Sequence, residues 1–153
     1  MLGRGLAPAY LCPVTATNGQ CGGFLHTNVV PILRDNERPV LYVGDHDPQG
    51  EDIERNTRRV LEREAGPRGW RRVALTGEQA AGLPAIEKVD RRCKPPRRSM
   101  AVEVEALGQG AVTSLVKTAL DELLPEPIET VQVRQRRDKQ RVRLMLDELQ
   151  RGG

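Results

Sequence analysis

Residues 40–50 read Val-Leu-Tyr-Val-Gly-Asp-His-Asp-Pro-Gln-Gly, and no other stretch constrains the fold as strongly. Four consecutive apolar residues leave no polar face. That is the pattern of a strand covered on both sides, as in a parallel sheet between helices. The run then meets a glycine, two aspartates two apart, and a Pro-x-Gly turn. In open α/β sheets chemistry sits at the carboxyl ends of strands, which is where Asp45 and Asp47 fall. On extended backbone their carboxylates project to the same side. Two carboxylates held that close repel each other, and a divalent cation removes the repulsion. Mg²⁺ is a hard ion that takes one or two carboxylates together with water and phosphate oxygens. The same residues are equally good chemistry for an ordinary strand-to-helix turn.

The surrounding pattern predicts an α/β domain with a mainly parallel sheet flanked by helices. Strands are expected near residues 11–15, 40–44, 71–75 and 100–105, and helices near 51–65, 109–124 and 129–149. Ile53, Thr57, Val60 and Leu61 share one helical face, with Glu51 and Asp52 in the first turn. Thr76 is a good N-cap for a short helix ending near Gly82. Cys21 to Leu33 reads as a weak helix. Residues 85–99 carry Pro95-Pro96 and no period, and so read as a loop. Met100, Val102, Val104 and Ala106 alternate with Ala101, Glu103 and Glu105, the pattern of a half-exposed edge strand. The expected division is an irregular N-terminus over 1–10, an α/β domain over 11–127, and a C-terminal helix and tail over 128–153.

Composition narrows the function classes. The chain has 153 residues, 38% hydrophobic and 29% charged, and its only aromatic residues are Tyr10, Phe24, Tyr42 and Trp70. So few rings argue against an aromatic platform for single-stranded nucleic acid. No run approaches the roughly 20 apolar residues of a membrane span, and no signal peptide is expected. Three cysteines at irregular spacings make neither a disulfide framework nor a zinc site, and a reducing cytoplasm is the expected compartment. The net charge is +3, with basic residues bunched at Arg91, Arg92, Lys94, Arg97 and Arg98, and again between Arg134 and Arg143. Such clusters can follow a phosphate backbone, although a solvated face is the commoner meaning of a charge run.

The segment Val40-Leu-Tyr-Val-Gly-Asp-His-Asp-Pro-Gln-Gly-Glu-Asp-Ile53 resembles the Asp-x-Asp unit of Toprim domains. It is most similar in flavour to the topoisomerase VI A subunit, the related meiotic double-strand-break protein and bacterial relatives. Val102-Glu-Val-Glu-Ala-Leu107 resembles a strand following the Toprim core in that group. Lys88-Val-Asp-Arg91 and Val14 to His26 give supporting similarity. The resemblance covers roughly residues 11–149. It implies Mg²⁺ at Asp45 and Asp47, a DNA partner with double-stranded DNA favoured, and phosphodiester cleavage or strand breakage. A catalytically inactive fragment, serving as a DNA-binding or protein-interaction module, is the alternative.

One departure bears on catalysis. Toprim enzymes carry a glutamate at the end of their first strand, whereas the first glutamate here is Glu37, in the loop before Val40. The chain starts near the family's second strand. That fits a truncated chain, a degenerate member, or a substitute acid, with Glu103 and Glu105 the candidates by chemistry. For want of that glutamate the isolated chain is expected to be a poor nuclease. Neither Tyr10 nor Tyr42 has a partner base in the sequence pattern, and His46 reads as a surface residue of the turn. The C-terminal helix is a candidate surface for a protein partner or a second copy of the chain.

Overall fold

The computed structural model describes residues 2–17, 22–90 and 94–151. In chain order the elements begin with helix α1 (Leu2–Tyr10). A helical stretch follows, made of α2 (Gly22–Phe24), a π-helical turn (Leu25–Val29) and α3 (Val30–Arg34). Then come β1 (Val40–Val43), α4 (Pro48–Ala65), β2 (Trp70–Ala74), α5 (Gly77–Ala80), β3 (Ile86–Asp90) and β4 (Arg97–Ala101). A 3₁₀ turn (Val104–Leu107) leads to α6 (Gln109–Asp121) and α7 (Ile128–Arg151). The chain divides into two compact units: Val14–Val116, and Met1–Pro13 with Lys117–Gly153.

In the unit Val14–Val116, β1 pairs in parallel with β2, Val40 facing Trp70, with an irregularity after Tyr42. The rings of Tyr42 and Trp70 stack at 5.6 Å. One core joins Leu25 and Val30 to Val60 and Leu61 of α4, with Trp70 and Val40 against it. Thr57, Val60 and Leu61 are the buried face anticipated for this helix. A second core gathers Leu75, Ala80 and Val102. Thr76 caps α5 in a capping box with Gln79, satisfying two backbone donors reciprocally.

The mainly parallel sheet is not what forms. The described strands make two separate two-stranded sheets, one parallel (β1–β2) and one antiparallel (β3–β4). All four residues of β1 are consequently half-buried rather than enclosed. Residues 11–15 are not a strand. Leu11 sits at φ 50°, off the extended region, and Pro13 has no N–H to give a ladder. The segment 85–99 is instead mostly hairpin, with Glu87 opposite Met100 and Val89 opposite Arg98. Its alternation is hidden because charges stand on both faces, Glu87 and Arg98 on the exposed one and Lys88 and Asp90 on the other. The strand expected at 100–105 ends at Ala101; Met100 of the expected inward face is 61% exposed and Ala101 of the other is fully buried, while beyond the strand Val102, on the expected face, is buried and Val104 packs against it.

In the other unit the expected irregular N-terminus is helix α1, anchored where the Tyr10 hydroxyl donates to Asp121 Oδ1 at 2.6 Å. Lys117 reaches both Asp121 and Glu129 at 2.8 Å. Residues 133–151 of α7 are exposed throughout. No helix of the described residues is long and apolar enough to cross a membrane.

Gly50 is where the fold is least tolerant. A Cβ there would lie 2.5 Å from the Asp45 carbonyl oxygen, a backbone atom that cannot move alone. Gly50→Ala is expected to lower unfolding free energy by about 1–3 kcal/mol, as an overpacked site does. Urea denaturation checks this, with Gly82→Ala, which meets nothing within 4 Å, as the control that leaves the midpoint nearly unchanged.

Candidate functional site

The Asp-x-Asp turn is fixed from both sides by backbone. Gly44 N–H donates to Ala74 O at 2.7 Å and Leu75 N–H to Gly44 O at 2.8 Å, extending the β1–β2 pairing by a residue. His46 then bridges to Val102 on the other side, through His46 N–H to Val102 O at 2.9 Å and Val102 N–H to His46 O at 3.2 Å. The turn thus lies between the two small sheets. From beneath, the Arg72 guanidinium donates to Asp45 O at 2.6 Å, Leu75 O at 2.7 Å and Gly44 O at 3.0 Å. Glu54 of α4 pairs with Arg72 and also accepts from Trp70 Nε1 at 2.8 Å.

Each aspartate spends one oxygen on the backbone. Asp47 is the N-cap of α4 and its Oδ1 accepts from Gly50 N–H at 2.6 Å. Asp45 Oδ1 accepts from Val104 N–H at 3.0 Å. The remaining oxygens turn to one ammonium group. Lys88 Nζ, carried in by β3, lies 3.0 Å from Asp47 Oδ2, 3.1 Å from Glu103 Oε1 and 3.7 Å from Asp45 Oδ2. Asp47 is buried, while Asp45, Glu103 and Lys88 remain partly open to solvent. Three carboxylates around one ammonium carry a formal net charge of −2.

Both partners of the tightest pair are shifted. Burial of Asp47 favours its neutral acid, but the Gly50 N–H and the Lys88 ammonium outweigh it and hold the carboxyl below the usual range. Burial likewise disfavours charged Lys88, yet its bonds to Asp47 and Glu103 hold its pKa above the ordinary lysine value.

The aspartates expected to face the same way do so, and Glu103 joins them. Glu105 does not: it is exposed in the 3₁₀ turn and absent from the Lys88 cluster. His46 contributes its backbone, and its side chain lies 3.9 Å from Glu51. Arg91 and Arg92 lie outside the described residues. Lys94 is exposed, Arg98 pairs with Glu87 at 3.2 Å, and Arg97 stands opposite Asp90 in the hairpin. Arg97 and Arg98 therefore face acids across the strands. Tyr10 has the carboxylate partner its sequence context did not show. Burial, and then the bond to Asp121, push its pKa up to about 12, which keeps the phenol protonated.

Lys88 and Arg72 were not anticipated as site residues. Lys88 lies 41 residues from Asp47 and Arg72 lies 27 from Asp45, and nothing local to either marks the approach. Among the described residues no group of three or more His, Cys, Asp or Glu is gathered closely enough to hold a metal ion as it stands, the ammonium filling the centre of the acidic cluster. Set against protein-family models, curated proteins and solved structures, the chain matches none of them.

The lowered Asp47 pKa makes stability depend on pH with a definite sign. Its contribution is complete above the unfolded value of 3.8 and fades as pH falls through the lower folded value. Asp47→Asn keeps a good capping side chain but removes the titration. Denaturant midpoints measured from about pH 6 down to about pH 3 should fall more steeply for wild type than for Asp47→Asn. Parallel curves would assign the acid sensitivity elsewhere. The raised Lys88 pKa acts at the other end: its contribution is present below 10.5 and is lost as pH rises through the folded value.

Proposed function

We propose that the unit Val14–Val116 is a Toprim-like domain that takes Mg²⁺ at Asp45 and Asp47 and acts on the phosphodiester backbone of DNA. The observation carrying this reading is the convergence of Asp45, Asp47 and Glu103 on a single cationic group at the end of β1. The donor set fits the ion, since all three side chains offer hard carboxylate oxygens and their net charge invites a divalent cation. When bound, Mg²⁺ would hold a phosphate oxygen and offset charge growing in the transition state.

The chain's own groups supply the rest. The partly exposed Glu103 takes the place by chemistry of the glutamate that the family carries on an earlier strand. In this reading it accepts a proton from the attacking water. Lys88, displaced from the cluster, keeps its ammonium on β3 within reach of a phosphate. Arg72 positions the turn through the Gly44 and Asp45 carbonyls and takes no part in the chemistry.

Thermal unfolding with and without Mg²⁺ tests the ion. Lys88→Met leaves the three carboxylates without their cation, so its melting temperature should drop and then rise with Mg²⁺ by more than wild type does. Asp45→Asn with Asp47→Asn should abolish the rise. Absence of any Mg²⁺-dependent shift in all three proteins would remove the site. Plasmid nicking with Mg²⁺ and Mn²⁺ tests the chemistry. Asp45→Ala should abolish nicking, Glu103→Gln should reduce it by at least about tenfold, and Glu105→Gln should leave it unchanged.

A second reading is favoured by the position of the Lys88 ammonium at the centre of the carboxylates. Here the unit is a non-catalytic module whose acidic cluster is permanently occupied by the Lys88 ammonium. DNA binding with neither a Mg²⁺-dependent melting shift nor nicking would select it.

A further inference from the structure

The exposed helix α7 carries a charge arrangement that the cation site does not use. Six of the ten residues from Arg134 to Arg143 are Arg or Lys, and Asp138 is the one acid among them. All ten are exposed. Arg134 pairs with Glu126, but among the described residues Arg136, Arg137, Lys139, Arg141 and Arg143 make no ion pair. A helix built only for solubility interleaves signs, so that opposite charges meet three or four residues apart. Here Arg137 faces Arg141 and Lys139 faces Arg143 at that spacing, and each such pair weakens the isolated helix. Arg136, Lys139, Gln140 and Arg143, at i, i+3, i+4 and i+7, share a single face of the helix. A polyanion laid on that face relieves the repulsion that the helix carries alone.

The remaining question is which polyanion. A membrane-surface helix sets its basic face opposite an apolar face over the same length and uses large apolar and aromatic anchors. In α7 the exposed apolar residues Leu144, Met145, Leu146 and Leu149 follow the basic block along the axis, only Val142 lies within it, and the helix has no aromatic residue. The lack of rings equally removes the stacking on which single-strand binders depend. We infer that the basic stripe of α7 grips the phosphate backbone of duplex DNA without reading its sequence. The proposal uses α7 alone and holds with or without a metal at Asp45 and Asp47.

The test is fluorescence anisotropy of the full chain with two unrelated duplexes of about 25 base pairs. EDTA is present throughout, so that failure of the metal reading leaves the result untouched. Circular dichroism confirms that helix content is retained in Arg136→Gln/Lys139→Gln/Arg143→Gln. The triple variant is expected to bind both duplexes at least about tenfold more weakly at 0.1 M salt. Its log K against log salt should be shallower by about 2.7, the value for three lost phosphate contacts. A companion variant, Lys94→Gln/Arg97→Gln/Arg98→Gln, should change the slope by less. Wild-type affinity and slope in the α7 variant would overturn the proposal. So would binding to vesicles of anionic phospholipid with none to either duplex.

Discussion

The Arg72 guanidinium holds together the parts on which the candidate site depends. It reaches three backbone carbonyls, those of Gly44, Asp45 and Leu75, and pairs with Glu54 on α4. It also lies over the Tyr42 ring at 5.5 Å. The planar, always-charged fork suits a place where several acceptors converge at fixed angles, which a lysine would not satisfy. Removing it would take this donor from the Asp45 and Leu75 carbonyls and leave Glu54 with Trp70 Nε1 in place of an ion pair. A two-stranded sheet is marginal by itself. Here the side chain of one strand closes the end of the other and ties both to a helix.

On that scaffold the acidic cluster is held together by opposing tendencies. Burial pushes Asp47 toward its neutral acid and Lys88 toward its neutral amine, yet contact between them keeps both charged. Because the partners come from the turn after β1, from β3 and from the segment after β4, the cluster exists only when both sheets are formed. The His46–Val102 bridge ties the turn after β1 to the segment that carries Glu103.

Much of this was legible in sequence where the signal is local. The Val40–Val43 strand, the Asp-x-Asp turn, the buried face of α4 and the Thr76 cap each depend on neighbours within a few residues. The β3–β4 hairpin was not legible, because Glu87, Lys88, Arg97 and Arg98 mask the alternation that marks a strand. The inward face of β4 was misread for a related reason: Met100 is the larger apolar residue, but it is Ala101 that fits beneath the turn. Lys88 belonged to a stretch of supporting similarity, but its place in the site was missed because its meaning is wholly non-local. A lysine among charged residues looks like any solvated side chain until three carboxylates are brought to it.

The backbone bonds of the two aspartates carry a consequence for ion selection. In each, one carboxylate oxygen is committed to a peptide N–H, Gly50 for Asp47 and Val104 for Asp45. Chelation through both oxygens would have to compete with a bond that shapes the turn. On the proposed Mg²⁺ reading, each aspartate would offer an entering cation chiefly its uncommitted oxygen. Ca²⁺, with six to eight ligands and frequent bidentate carboxylates, is poorly served by such a site. The smaller octahedral ion, which keeps much of its water, loses nothing by it. On that reading, the choice between the two ions would rest on the hydrogen bonds that begin a helix and close a turn.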